Sequence, residues 1–348
     1  MQKDNEKSQI ISQKVREILS EHNVKLSNCI SCDVDINNRE VRIILNRIIS
    51  NSCVSKLRDV LGKDFEYSIT IAAKANRQQV QGDLKGLNNI KNIIGVGSAK
   101  GGVGKSTTTL GVAREFAKFG FKVGILDADI YGPSMPIMMG LEPENRSPSV
   151  DDTGKMIPLE KDGVKMISMG HLVEDTAPIV WRGPMVSGAL MQLLEKTAWQ
   201  ELDYLFIDLP PGTGDILLSS CQKIPLTGVL LVTTPQTVAW RDTLKSASMF
   251  KKMHVEILGV AENMSIFRCP NCEHEMEIFG SGGANILAEL FDIKVLATIP
   301  YDENLHQCQN NGEHASLEEF KNLAIELSML LSEKSLLKPV PITSVKIL

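Results

Sequence analysis

No stretch of this 348-residue chain approaches the ~20 consecutive apolar residues that a membrane-spanning helix needs. The best run, Val229 to Val232, is strand-length. The opening Met1-Gln-Lys-Asp-Asn-Glu-Lys lacks the apolar centre of a secretory signal, so the cytoplasm is the expected compartment. An excess of positive charge is missing too. Lys and Arg total 37 against 42 Asp and Glu, a formal net charge of −5, which argues against wrapping nucleic acid by bulk charge. Neither a membrane nor a nucleic acid is therefore expected as a partner. Internal repeats and low-complexity tracts are absent. Cysteines number seven, an odd count without a secretion signal, which points to reduced thiols, open to metal ligation, rather than a disulfide framework. What remains is ordinary for a globular protein, 43% hydrophobic and 23% charged, over a length that suggests two domains.

Residues 1–75 read as a small α+β unit. Ile11, Val15, Ile18 and Leu19 share one helical face. Ile30, Val34 and Ile36, with Cys32 between, alternate as a strand. An Asn37-Asn38-Arg39 turn leads to a second strand through Val41, Ile43 and Leu45. A second helix carries Val54, Leu57 and Leu61 and ends near Gly62, and Tyr67, Ile69 and Ile71 form a third strand. Residues 76–90 turn polar and read as a linker.

From 91 to 335 short apolar strands alternate with helical stretches, the βαβ pattern of a parallel sheet with helices on both faces. Expected strands are Ile93–Gly97, Lys122–Leu126, Tyr204–Ile207, Gly228–Thr233, Ile257–Val260 and Val295–Ile299. A hairpin is expected around Lys155–Leu159 and Val164–Met169. Ser316 and Glu319 stand at capping-box spacing before a last helix whose Leu317, Phe320, Leu323, Leu327 and Leu330 form a core-facing stripe. Residues 336–348 read as an irregular tail.

The strongest chemical signal is Ser98-Ala99-Lys100-Gly101-Gly102-Val103-Gly104-Lys105-Ser106-Thr107, after a strand and before a helix. Glycines there let backbone N–H groups converge on phosphate oxygens at a helix N-terminus. Lys105 would reach the β- and γ-phosphates and the Ser106 hydroxyl would ligate Mg²⁺. Ala99 stands where the usual pattern opens with Gly. The alternative is a glycine-rich turn that holds no ligand. Asp127 and Asp129 end the second strand and Asp208 ends the third, where open α/β sheets bind ligands. Asp208 is the natural outer ligand of Mg²⁺. Asp127 and Asp129 would position water or touch the metal, or else cap a helix. Gly212, Gly214 and Asp215 suit a segment that senses the γ-phosphate.

Cys269-Pro-Asn-Cys272 places two thiolates within reach of one metal or cluster, which is half of a four-ligand site. His274 is a candidate third ligand and Cys308 is distant in sequence. Two thiolates from each chain of a symmetric dimer would complete the set. Redox pairing or chance remain open on spacing alone. Cys29-Ile-Ser-Cys32 enters a strand and reads as packing, and Cys53 and Cys221 read as buried fillers.

The Lys100-Gly-Gly-Val-Gly-Lys-Ser run resembles the deviant phosphate loop of the MinD/ParA/nitrogenase-iron-protein class. Longer segments resemble its Mrp/ApbC-type iron–sulfur cluster carriers. They are Asn89-Ile-Lys-Asn-Ile-Ile, Asp127-Ala-Asp-Ile-Tyr-Gly-Pro-Ser, Trp181-Arg-Gly-Pro-Met, Asp208-Leu-Pro-Pro-Gly-Thr-Gly-Asp, Val232-Thr-Thr-Pro-Gln, Glu262-Asn-Met-Ser and Ile278-Phe-Gly-Ser-Gly-Gly. The resemblance implies a homodimer that holds a [4Fe–4S] cluster between paired Cys269 and Cys272 loops. Such a carrier passes the cluster to apo-proteins, meets cluster scaffold proteins, and binds and hydrolyses ATP with Mg²⁺; hydrolysis is expected to be slow because the sequence offers no obvious arginine finger. It implies that Lys100 reaches the partner subunit's nucleotide and that Asn263 reads the adenine ring. Arg182 is the nearest candidate for an arginine finger. The first unit resembles the small α+β domain often fused to these carriers, with Glu21-His-Asn-Val-Lys in place of the usual Asp-Pro-Glu turn. A positioning ATPase of the ParA/MinD kind and a dimer stapled by zinc are the competing expectations. The acidic last helix, with Glu318, Glu319, Glu326 and Glu333, counts against the first of these.

Overall fold

The computed structural model describes residues 2–78, 87–130, 134–141, 147–172 and 183–333. The tail from 336, residues 79–86 of the expected linker, Tyr131 to Pro133, Trp181 and Arg182 lie outside the described residues.

Two sheets organise the chain. The small one comprises β1 (Cys29–Asp35), β2 (Glu40–Leu45) and β3 (Ser68–Ala73), with β1–β2 antiparallel and β2–β3 parallel. Helices α1 (Gln2–Glu21) and α2 (Asn51–Asp59) accompany it. Ile11, Val15, Ile18 and Leu19 of α1 are buried against Val41, Ile43 and Leu45 of β2 in one apolar cluster. The Asp35 carboxylate accepts the Asn37 and Asn38 N–H groups and forms the expected turn. One local expectation needs correction. The pairing shifts register between Cys29 and Ser31, so Ile30 is exposed while Cys29, Cys32 and Val34 pack on the core. The second helix closes near Gly62 as expected, its last turn being a π-turn, Val60–Asp64.

The large sheet is built from β4 (Ile90–Gly97), β5 (Val123–Asp127), β6 (Leu159–Lys161), β7 (Val164–Ser168), β8 (Leu202–Asp208), β9 (Gly228–Thr233), β10 (Ile257–Arg268), β11 (Glu275–Met276) and β12 (Val295–Tyr301). Across the sheet the parallel order is β12-β10-β9-β4-β8-β5-β7. Strand β6 lies antiparallel at the β7 edge, and β11 folds back on the far end of β10. Alternate residues of each central strand enter two cores. Ile94, Val96, Tyr204 and Phe206 face one, whereas Ile93, Leu205 and Ile207 face the other. Helix α3 (Lys105–Phe119) buries Phe116 edge-on against Tyr204 and Phe206, at centroid distances of 4.7 and 5.4 Å. Burying such a ring contributes about 1.5–3 kcal/mol.

The remaining helices are α4 (Met135–Met138), α5 (Gly183–Lys196), α6 (Asp215–Lys223), α7 (Thr237–Lys252), α8 (Gly283–Phe291), α9 (Glu303–Asn310) and α10 (Glu318–Glu333). Phe320, Leu323 and Leu327 of α10 are buried beside α3, as the stripe requires. Ser316 does not cap α10. The helix begins two residues later, and the Ser316 hydroxyl instead donates to Glu115 of α3 at 2.8 Å. Helix α10 also meets the first unit: Ser328 Oγ accepts the Ile48 N–H, and Asn28 Nδ2 donates to Ser332 Oγ. No helix among the described residues is long and apolar enough to cross a membrane.

Candidate functional site

Strand β4 delivers the chain to the loop from Ser98 to Gly104, and α3 begins at Lys105. Gly102 and Gly104 adopt φ of +81° and +83°, a region that side chains with a Cβ avoid. Space adds a second constraint at Gly104, because a Cβ there would lie 1.9 Å from Asn263 Nδ2. That amide donates to the Val103 carbonyl at 3.0 Å, so Asn263 braces the loop. The N–H groups of Lys105, Ser106 and Thr107 have no carbonyl a turn earlier to bond, and are thus available to an anion. The Thr107 hydroxyl donates to Gln309 of α9 at 3.0 Å.

Beneath the loop stand Asp127 and Asp208, Cα partners on β5 and β8, at most 1% exposed. Asp208 is richly held. Its Oδ2 accepts the Ser106 hydroxyl at 2.6 Å and lies 2.7 Å from Lys105 Nζ, and its Oδ1 accepts the Thr109 hydroxyl at 2.8 Å. Asp129 Oδ2 is 3.8 Å from the same ammonium. Asp127 accepts the Ser168 hydroxyl and the Asp129 N–H. Burial and then the neighbouring Asp208 push its carboxyl up to about 7. Asp129 thus stands beside Lys105 and Asp127 lies within its electrostatic reach, and the Asp127 carboxylate closes a short turn on the Asp129 N–H rather than capping a helix. Behind them the Ser168 N–H donates to His171 Nδ1 at 3.2 Å, and burial lowers the His171 imidazole to about 4.

Lys100 lies on the loop's outer side, its Nζ 3.2 Å from Asp242 of α7. The segment after Asp208 is tied back to the loop, since the Gly212 N–H donates to the Ser98 carbonyl.

The thiol pair sits at the tip of a hairpin that the sequence only half announces. Strand β10 continues to Arg268, eight residues beyond its expected end at Val260, and β11 returns with Phe267 opposite Met276 and Arg268 opposite Glu275. The Cys269 N–H donates to the His274 carbonyl, and the Glu273 N–H to the Cys269 carbonyl. The N–H groups of Asn271 and Cys272, with the Cys272 thiol, hold the Cys269 thiol below its ordinary pKa. Cys269 is partly exposed and Cys272 exposed. Among the described residues no group of three His, Cys, Asp or Glu side chains gathers to hold a metal, so His274 does not join the pair. Cys29, Cys32, Cys53 and Cys221 differ in kind, for burial raises each thiol, Cys53 to about 11 and Cys221 to about 12.

A family described as ParA: NUBPL iron-transfer P-loop NTPase matches residues 89–334. The chain belongs to that family. It is 46% identical over 264 residues to the iron-sulfur cluster carrier protein of Pseudomonas fragi, covering 76% of this chain and 90% of that one. The iron-sulfur cluster transfer protein NUBPL of Dictyostelium discoideum is 44% identical over 70% of this chain and 76% of its own. A nucleotide-binding protein of Archaeoglobus fulgidus, solved with ADP, superposes with a TM-score of 0.57 at 38% identity, covering 66% of this chain and 89% of that one. The cell-division ATPase MinD of Pyrococcus furiosus shares the fold, with a TM-score of 0.50 at 22% identity over 69% and 99% of the two chains.

Membership of this P-loop NTPase family covers the loop, both strand-end carboxylates and the thiol hairpin, but begins after the small three-stranded unit. Motif reading passed over four polar residues: Thr109, Ser168, Asp242 and Gln309. Thr109 had a local signal, lying one helical turn after Lys105 on the same face. Ser168, Asp242 and Gln309 had none, because strand order and helix packing alone bring them to the loop.

Proposed function

We propose that this chain is an ATP-dependent iron–sulfur cluster carrier that works as a homodimer. Two copies would each lend Cys269 and Cys272 to one [4Fe–4S] cluster, the cargo passed to apo-proteins after receipt from a scaffold. The observation that carries the reading is a solvent-reachable thiol pair, its Cys269 held below the ordinary thiol pKa, with no third protein ligand among the described residues, in a family of iron-transfer NTPases. Four thiolates suit a cluster, and a second copy supplies the missing two. Seven free cysteines suit a reducing compartment such as the cytoplasm.

ATP would bind with its phosphates against Ala99 to Thr107, within reach of Lys105. Ser106 and Asp208 offer a hydroxyl and a carboxylate, the hard oxygen donors that Mg²⁺ takes alongside phosphates and water. Bound there, the ion would neutralise charge on the phosphates. The chain's own residues do the positioning: Thr109 orients Asp208, Ser168 orients Asp127, and Asn263 braces the loop. By the family resemblance Asn263 would also read the adenine ring. Asp127 and Asp129 would place the attacking water. Lys100, parked on Asp242 here, would swing to the partner subunit's nucleotide, and hydrolysis would be slow.

Anaerobic reconstitution with iron and sulfide tests the reading. The expected result is absorbance near ~400 nm, one cluster per two chains, lost in Cys269→Ala with Cys272→Ala. A colourless dimer containing zinc would support the staple instead, and absorbance unchanged in the double variant would end the carrier reading.

A further inference from the structure

Helix α9 stands between the two halves of the site. Its first turn and the thiol hairpin wall one cavity of about 540 Å³, with Cys269, Pro270 and Glu273 on one side and Glu303, Asn304 and Gln307 on the other. Its last turn carries Gln309, 7% exposed, whose side-chain oxygen accepts the Thr107 hydroxyl. Eight residues span only ~12 Å, so two turns of helix separate the phosphate loop from the cavity wall that the thiol hairpin shares.

One end of this helix is capped and the chain just beyond the other is packed against a neighbouring loop. Asp302 caps the first turn, its Oδ1 accepting the Leu305 N–H at 2.6 Å. Beyond the last turn Gly312 packs on Gly140 so closely that a Cβ at Gly140 would fall 1.9 Å from the Gly312 oxygen. Lys161 Nζ donates to both carbonyls, at 3.0 and 3.4 Å. A short helix capped against fraying shifts as one body, so a displacement at one end reaches the other rather than being absorbed. Thr107 is where such a displacement would arise. Its N–H lies in the first turn of α3 among those open to phosphate, while its hydroxyl is committed to Gln309.

We propose that Gln309 is a positioning residue that couples the phosphate loop to the thiol pair through α9, so that nucleotide at Thr107 alters the reactivity of Cys269. The inference rests on ATP binding at that loop, and deepens the proposed function by naming the path between nucleotide and cluster thiols. It needs no cluster to be tested.

The full-length, reduced, cluster-free chain is alkylated with iodoacetamide, with and without saturating Mg·ATP. Modification of Cys269 is followed by peptide mass spectrometry at a concentration where sedimentation gives one association state in both conditions. Native chain, Gln309→Met, which deletes the acceptor, and Gln309→Glu, which keeps one, are compared, with ATP binding and circular dichroism measured for each. The expected result is that ATP changes the Cys269 rate at least about threefold in the native chain and in Gln309→Glu, and leaves it unchanged in Gln309→Met. Native chain that binds ATP without altering the rate overturns the coupling. So does Gln309→Met with the native response, or Gln309→Glu without it. A native chain that binds no ATP removes the proposed function first and this inference with it.

Discussion

Asn263 occupies the space that a side chain on Gly104 would fill. The amide nitrogen lies 1.9 Å from the ideal Cβ position and simultaneously holds the Val103 carbonyl. Gly104→Ala therefore meets both a clash and a left-handed φ of +83°, which alone costs about 1–2 kcal/mol. The expected outcome is a folded chain with a lower melting temperature and no measurable binding of a fluorescent ATP analogue. Asn263→Ala should cost about 1–3 kcal/mol through the buried carbonyl left unpaired, and should weaken nucleotide binding by loosening the loop.

Lys105 and Asp208 form a pair with side chains 6% and 1% exposed. Removing one partner of such a pair costs more than the pair contributes, about 3–5 kcal/mol, because the other charge stays buried. Lys105→Ala should therefore destabilise the ligand-free chain as well as abolish ATP binding. Adding Asp208→Asn should recover much of the stability and none of the binding. A double-mutant cycle by urea unfolding reads the first effect, and additive losses would contradict it.

The His171 imidazole, lowered to about 4 by burial, predicts an acid-side loss of stability. Between about 6.5 and 4 the unfolded chain binds a proton that the folded chain refuses, so unfolding free energy rises with pH across that window. Asp127, raised to about 7, acts in the opposite sense, since there the folded chain holds the extra proton. His171→Phe should flatten the acid limb of a melting-temperature profile from pH 4 to 7, and Asp127→Asn should steepen it. Parallel profiles for all three chains would refute both assignments.

The two Cys-x-x-Cys pairs should separate cleanly. Cys29→Ala with Cys32→Ala removes partly buried sulfur from a core and should lower stability by about 1 kcal/mol or more while leaving reconstituted ~400 nm absorbance intact. Cys269→Ala with Cys272→Ala should do the reverse. Absorbance lost in the first pair would place a cluster ligand in the three-stranded unit.

Much of this was legible in one dimension. The loop from Ser98 to Gly104 joins β4 to α3, whose first turn holds Lys105 to Thr107, as the spacing demands, and Asp127 and Asp208 end their strands. Each misreading has a specific cause. Ile30 is exposed because a bulge adds a residue to β1, which alternation counting does not register. Ser316 matches a capping pattern, yet finds a better partner in Glu115, 201 residues away. The β10 extension was hidden because polar residues such as Asn263, Ser265 and Arg268 interrupt the apolar run that marks a buried strand. Pairing with β11 and β12 supplies the strand hydrogen bonds instead.

The amino-acid order alone determined the elements, the glycines of the loop and the family to which the chain belongs. These depend on propensities and periodicities that act within a few residues. Only the tertiary structure decided which distant groups meet: Asn263 on Val103 across 160 residues, Gln309 on Thr107 across 202, Lys105 between Asp208 and Asp129. Those meetings depend on strand order and register, which the joint burial of two whole cores settles and no short segment encodes.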